Sequence, residues 1–116
     1  GRRYRLQPTY EATFNGMTVI DLSQKGLRFC SHEEFQIASQ IAEAPLVLPR
    51  VESCEGKELF PGTELLVSQT EITNRCRSPQ GFLYGASFTE EWAEEAIKTL
   101  NNFFLALRKR EREEEL

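Results

Sequence analysis

The chain has 116 residues, 40% of them hydrophobic, and a formal net charge of −4. That length suits one domain able to bury a core without metals or disulfides, and the hydrophobic content excludes a disordered chain. The negative balance excludes a general binder of nucleic-acid duplexes, whose phosphates call for a basic face. No apolar run approaches the ~20 residues of a membrane span, so no membrane insertion is expected.

The opening Gly1-Arg2-Arg3-Tyr4-Arg5 holds three of the ten arginines. No apolar stretch follows it, so it does not read as a signal peptide. The start at Gly1 reads as a trimmed end or as one domain of a longer protein. A local basic cluster on an acidic chain suits a small anion better than a duplex, and residues 1–7 are expected to form an arginine-rich loop. Residues 8–14 alternate, with Tyr10, Ala12 and Phe14 on one face, as in a half-buried strand. Asn15-Gly16 is a strong hairpin signal because both positions tolerate positive φ. A second strand, Met17 to Leu22, follows; Ser23-Gln24-Lys25-Gly26 is a turn and Leu27 to Ser31 a third strand.

Residues 32–44 place Phe35, Ala38, Ile41 and Ala42 at helical spacing, with Ser31 and Glu34 fitting a capping box. This predicts a short inserted helix stopped by Pro45. Leu46-Val47-Leu48 reads as a short strand between prolines, and Glu52 to Gly62 as a loop. Residues 63–77 form a long strand pattern, bent near Ser68–Thr70. Ser78-Pro79-Gln80-Gly81 is a turn with Pro at its second position, and Phe82 to Phe88 returns as the last strand. The body, 8–88, is thus mainly β, with about six short strands and tight turns, a barrel or sandwich.

The end differs in kind. Thr89 reads as a helix cap, with Glu90 and Glu91 expected in the first turn, where carboxylates suit the helix dipole. Ala93, Ala96, Leu100, Phe103 and Leu107 recur at spacings of three and four, predicting a long C-terminal helix over 89–110 and a frayed charged tail over 111–116. One apolar stripe cannot hide Phe103, Phe104 and Leu105 together, since they point about 100° apart. An exposed aromatic cluster is therefore expected there, an association surface for a second copy or another domain of a parent protein.

The cysteines, Cys30, Cys54 and Cys76, are odd in number and lack C-x-x-C spacing. They read as reduced thiols of a cytoplasmic protein. Cys30-Ser31-His32 would be half a metal site without a second half, so no metal is expected.

Asp21-Leu22-Ser23-Gln24-Lys25-Gly26 has the form D-x-S-x-x-G. By itself it describes a plain turn, in which Asp and Ser bond local backbone and Gly takes a positive φ. Its context adds to it. The arginine cluster lies one hairpin upstream, and Gly26 leads into Leu27-Arg28-Phe29, with Leu27 and Phe29 inward and Arg28 outward.

In these features the chain resembles the PilZ family over most of its length, from Arg2 to about Leu107. That family carries R-x-x-x-R before its first strand, [DN]-x-S-x-x-G between later strands, and a helix after a six-stranded antiparallel β-barrel. Asp21, Ser23 and Gly26 match the second motif at each fixed position. The first motif departs: Arg5 precedes the apolar Leu6 as expected, but Gly1 stands four positions back. Arg2 and Arg3 give spacings of three and two. The resemblance implies a bacterial second-messenger receptor that binds cyclic di-GMP as ligand, with no cofactor, through Arg2, Arg3, Arg5, Asp21, Ser23 and Gly26.

The chemistry agrees. A guanidinium bonds guanine O6 and N7 and stacks on a ring, and it pairs phosphate in a bidentate manner. Asp21 can accept guanine N–H donors, Ser23 adds a hydroxyl, and Gly26 is expected to let backbone approach the ligand. Arg28, two residues beyond Gly26, is a further candidate contact. Binding is expected to order a flexible Arg2–Arg5 segment at ~1–2 kcal/mol per residue, offset by charge-assisted bonds of ~1.5–3 kcal/mol each. Two rival readings stay open: a degenerate PilZ-like domain that binds only proteins, and an unrelated small barrel whose turn happens to match. The sequence has no Ser–His–Asp set, no P-loop and no clustered His and carboxylates, so no enzyme is expected.

Overall fold

The protein is described by a computed structural model over residues 4–6 and 10–115. Its elements in order are β1 (Tyr4–Arg5), β2 (Thr13–Phe14), β3 (Met17–Leu22), β4 (Gly26–Ser31), β5 (Gln40–Leu48), β6 (Val51–Glu52), β7 (Glu58–Phe60), β8 (Thr63–Ser78), β9 (Gly81–Phe88) and α1 (Glu94–Glu114).

The chain is mainly β. Asn15 and Gly16, at φ 51° and 81°, make the tight turn from β2 to β3, the left-handed pair that Asn-Gly favours. β3, β2, β5, β8, β9 and β4 pair in that order, and β3 also pairs β4, so the six strands form a ring. Such closure leaves few unpaired strand edges. β8 links both halves of the ring: its first part pairs β5 and its last part β9, with the exchange at Thr70–Glu71. That is close to the expected bend, and the register irregularity falls just beyond, between Ile72 and Asn74. Alternation along the strands turns Phe14, Val19, Leu27, Phe29, Leu46, Leu48 and Tyr84 into the buried core.

The expected helix over 32–44 does not form. Residues 32–39 are irregular and Gln40–Leu48 is strand, with Pro45 inside it rather than ending it. Ala38 and Glu43 take positive φ, 72° and 50°, which a right-handed helix does not allow. The signal that prevails is the period-two set Ala44, Leu46 and Leu48, all buried. The Ser31 hydroxyl does not bond Glu34; it accepts the backbone N–H of Glu33 at 3.0 Å. Phe35 enters the aromatic cluster of Phe29 and Tyr84 instead.

The expected 52–62 loop contains the hairpin β6–β7. α1 begins later than expected, at Glu94. Thr89 does not cap it, because its N–H and hydroxyl both donate to the Gln69 carbonyl and prolong the sheet. Glu94 and Glu95, not Glu90 and Glu91, occupy the first turn. At the other end α1 runs through Glu114 instead of fraying after Arg110. Three contacts hold that end: Arg110 Nε pairs Glu114 at 3.0 Å, Arg110 Nη1 donates to the Glu52 carbonyl at 2.9 Å, and Glu113 accepts the Cys54 N–H at 2.7 Å.

The expected exposed aromatic cluster is also absent. Phe103 is fully buried against Phe60, and Phe104, 5% exposed, stacks on Tyr4 with ring centroids 4.4 Å apart and planes at 11°. Of the three, Leu105 alone is exposed. The two rings point apart, as the helix geometry requires, and separate pieces of chain cover them. No helix among the described residues is long and apolar enough to cross a membrane.

Candidate functional site

The site is built where β1, β3 and β4 run side by side. In register, Arg5 of β1 lies opposite Asp21 of β3, and Asp21 lies opposite Arg28 of β4. Directly opposed residues of antiparallel strands are neighbours on one surface, so the three charged residues form a row of plus, minus, plus across three strands. Tyr4 and Arg5 are therefore strand, not flexible tail. Arg2 and Arg3 lie outside the described residues.

A β-bulge makes this row. Val19 faces Phe29 in the core, and strict alternation would send Asp21 to the same side. The register shifts between Val19 and Asp21, so that Asp21 meets Arg28 and Leu22 meets Leu27. The extra residue re-aims a carboxylate that the core could not accept. Asp21 is nevertheless only 2% exposed. Its Oδ2 accepts a charge-assisted bond from Arg28 Nε at 2.5 Å. The Arg28 side chain is 40% exposed, so its guanidinium reaches solvent from a pinned base.

The rest of the motif is a turn docked on α1. Ser23 is buried; its hydroxyl donates to the Gly26 carbonyl at 3.3 Å and accepts the Lys25 N–H at 3.2 Å. Gly26 does not take a positive φ, and packing within the fold already calls for glycine there. A Cβ at this position would lie 2.3 Å from the Ala86 carbonyl oxygen, so glycine is what lets β4 pass close to β9. Gln24 Nε2 donates to Asn101 Oδ1 of α1 at 2.6 Å, and the Gln24 carbonyl accepts the Trp92 indole N–H at 3.1 Å. Beside this turn lies an open groove of about 640 Å³, bordered by Lys25, Phe88 and Trp92.

The structure thus brings together Arg5, Asp21 and Arg28, with the Ser23–Gly26 turn adjoining them along the chain. Sequence reasoning missed Tyr4, Gln24, Trp92 and Asn101, which join this site to α1. Only Tyr4 gave a hint, as an aromatic residue inside a basic run. Comparison with family models, with curated proteins and with solved structures gives no match.

Proposed function

We propose that this chain is a PilZ-type β-barrel domain, a bacterial cytoplasmic receptor that binds cyclic di-GMP on the surface carrying Arg5, Asp21 and Arg28. The observation that carries this reading is the meeting of Arg5 with Asp21 across β1 and β3. Two segments matched to the ligand by their chemistry adjoin in space though they are 16 positions apart in the chain. The six-strand ring followed by one C-terminal helix supports the same resemblance.

The row suits the ligand's charges. Arg5 and Arg28 flank the carboxylate, and each offers a planar fork to a phosphate or to guanine O6 and N7. As phosphate draws Arg28 outward, the Asp21 carboxylate becomes available to guanine N–H donors, which arginine cannot satisfy. Arg5 starts from a paired strand, so less backbone entropy is lost there than in a free loop. Arg2 and Arg3 supply further cations. Nothing in this scheme consumes the ligand, as befits a sensor rather than an enzyme.

A second reading, a PilZ-like domain that binds only proteins, has a specific observation in its favour. Asp21 and Ser23 are already bonded within the fold, and Gly26 is accounted for by packing. In that reading the motif is kept for architecture, and an apolar residue such as the exposed Leu105 marks the contact surface.

Calorimetric titration with cyclic di-GMP separates the two. The receptor reading expects saturable binding that Arg5→Ala weakens more than Arg2→Ala or Arg3→Ala. Small, equal losses that moderate salt abolishes would mark a diffuse basic tail instead. A folded chain that gives no heat of binding supports the protein-only reading.

A further inference from the structure

The two segments that would read the ligand also fasten α1, alongside the β6–β7 hairpin that receives Phe103 and the last turn. Tyr4, beside Arg5 in β1, lies flat on Phe104 of α1 at 4.4 Å. Gln24, inside the D-x-S-x-x-G turn, holds Asn101 of α1 through its side chain and Trp92 through its carbonyl. Tyr4 and Phe104 are each adjacent in sequence to a residue of another role: Arg5 to the charged row, Phe103 to the core. β1 is only two residues long and lies along β3 beyond the end of β2. It is an edge piece whose loss leaves the ring's own pairings intact. Phe104 is 5% exposed while Tyr4 is in place, so lifting β1 uncovers a large aromatic face.

We infer that β1 and the Ser23–Gly26 turn form a two-point clasp on α1, and that α1 is the output element of the domain. Release of the clasp bares Phe104 and frees the middle of the helix while the ring stays folded. The trigger rests on the receptor reading above: an anion that draws Arg5 and Arg28 toward itself moves β1 and the turn, and each displacement acts directly on α1. The clasp itself rests on the contacts alone.

Hydrogen–deuterium exchange tests it on the intact chain. Tyr4→Ala is expected to speed exchange of the amides of 103–107 by about tenfold, equivalent to ~1.4 kcal/mol. β4 and β9 should stay as in the wild type, and Tyr4→Phe, which keeps the stack, should restore slow exchange. Asn101→Ala, remote from the charged row, should loosen the helix around 97–101 and shift the emission of Trp92, the single tryptophan. If neither substitution changes α1 exchange, or if the ring loosens equally, the clasp is wrong. Adding cyclic di-GMP to the wild type then tests the trigger. Heat of binding with faster exchange at 103–107 supports the trigger. Heat of binding without any change in α1 overturns it and leaves the receptor reading standing. No heat of binding removes the receptor reading and the trigger together, while the Tyr4→Ala result still decides the clasp.

Discussion

The ring is closed differently at the two ends of β4. Past Gly26 lie the motif turn and α1, a helix of 21 residues that covers its side with Leu100, Phe103 and Phe104. Past Ser31 lies an irregular segment that puts one ring, Phe35, against the core and is otherwise held by directional hydrogen bonds, including those that pair Ala38 and Ser39 with Ile72. Tyr84 Oη donates to the Glu33 carbonyl at 2.8 Å and accepts the Phe35 N–H at 2.7 Å. Arg75 adds a bond to the Phe35 carbonyl at 3.2 Å. One closure works by apolar area and the other by hydrogen-bond geometry, so they should fail differently. The helical side tolerates local loosening because its area is spread over several turns. The irregular side depends on a few directional bonds.

The largest effect is expected on the helical side. Phe103→Ala removes a fully buried ring packed on Phe60 and should lower stability by ~3–5 kcal/mol in urea titration. A much smaller cost would mean that α1 contributes little to closing the ring. Next comes Gly26→Ala at the junction of the motif with the ring. Its Cβ collides with backbone rather than with a side chain that can move. A loss of ~1–3 kcal/mol is expected, measured without any ligand, and an unchanged midpoint would return Gly26 to a ligand-approach role. On the irregular side, Tyr84→Phe keeps the buried ring and removes both hydroxyl bonds. It should also cost ~1–3 kcal/mol, with faster exchange confined to 33–36. If exchange there is unchanged, Phe35 packing and the Arg75 bonds hold the segment.

The same contrast explains what could be read from the sequence. Both closing segments carry apolar residues at helical spacing, but only the later one repeats it over enough turns to decide the matter. In 32–44 a short helical pattern overlaps the alternation of Ala44, Leu46 and Leu48, and the alternation prevails because partner strands are there to receive it. Asn15-Gly16 and Ser78-Pro79-Gln80-Gly81 were legible because a turn's requirement falls on one or two residues. The bulge between Val19 and Asp21 was not legible: it depends on where Phe29 and Arg28 lie on the neighbouring strand. For the same reason Asp21 could be singled out by motif, but not its pairing with Arg28. Phe103, Phe104 and Leu105 diverge too far for one stripe, yet only Leu105 is left exposed and both rings are buried. Their covers, Phe60 and Tyr4, come from 43 and 100 positions earlier in the chain, and nothing local announces them.

The Arg5–Asp21–Arg28 row is proposed to read cyclic di-GMP. Calorimetric titration of the wild type and of Asp21→Ala, each checked for folding by thermal melting, tests it most directly. Asp21 is buried near the end of β3, but the Arg28 side chain it would leave unpaired is 40% exposed and can be solvated, so the variant is expected to fold. Saturable binding by the wild type is expected, and at least about tenfold weaker binding by Asp21→Ala, from loss of a charged acceptor worth ~1.5–3 kcal/mol. Equal binding by a folded Asp21→Ala would contradict the site, and absence of binding by the wild type would contradict the function.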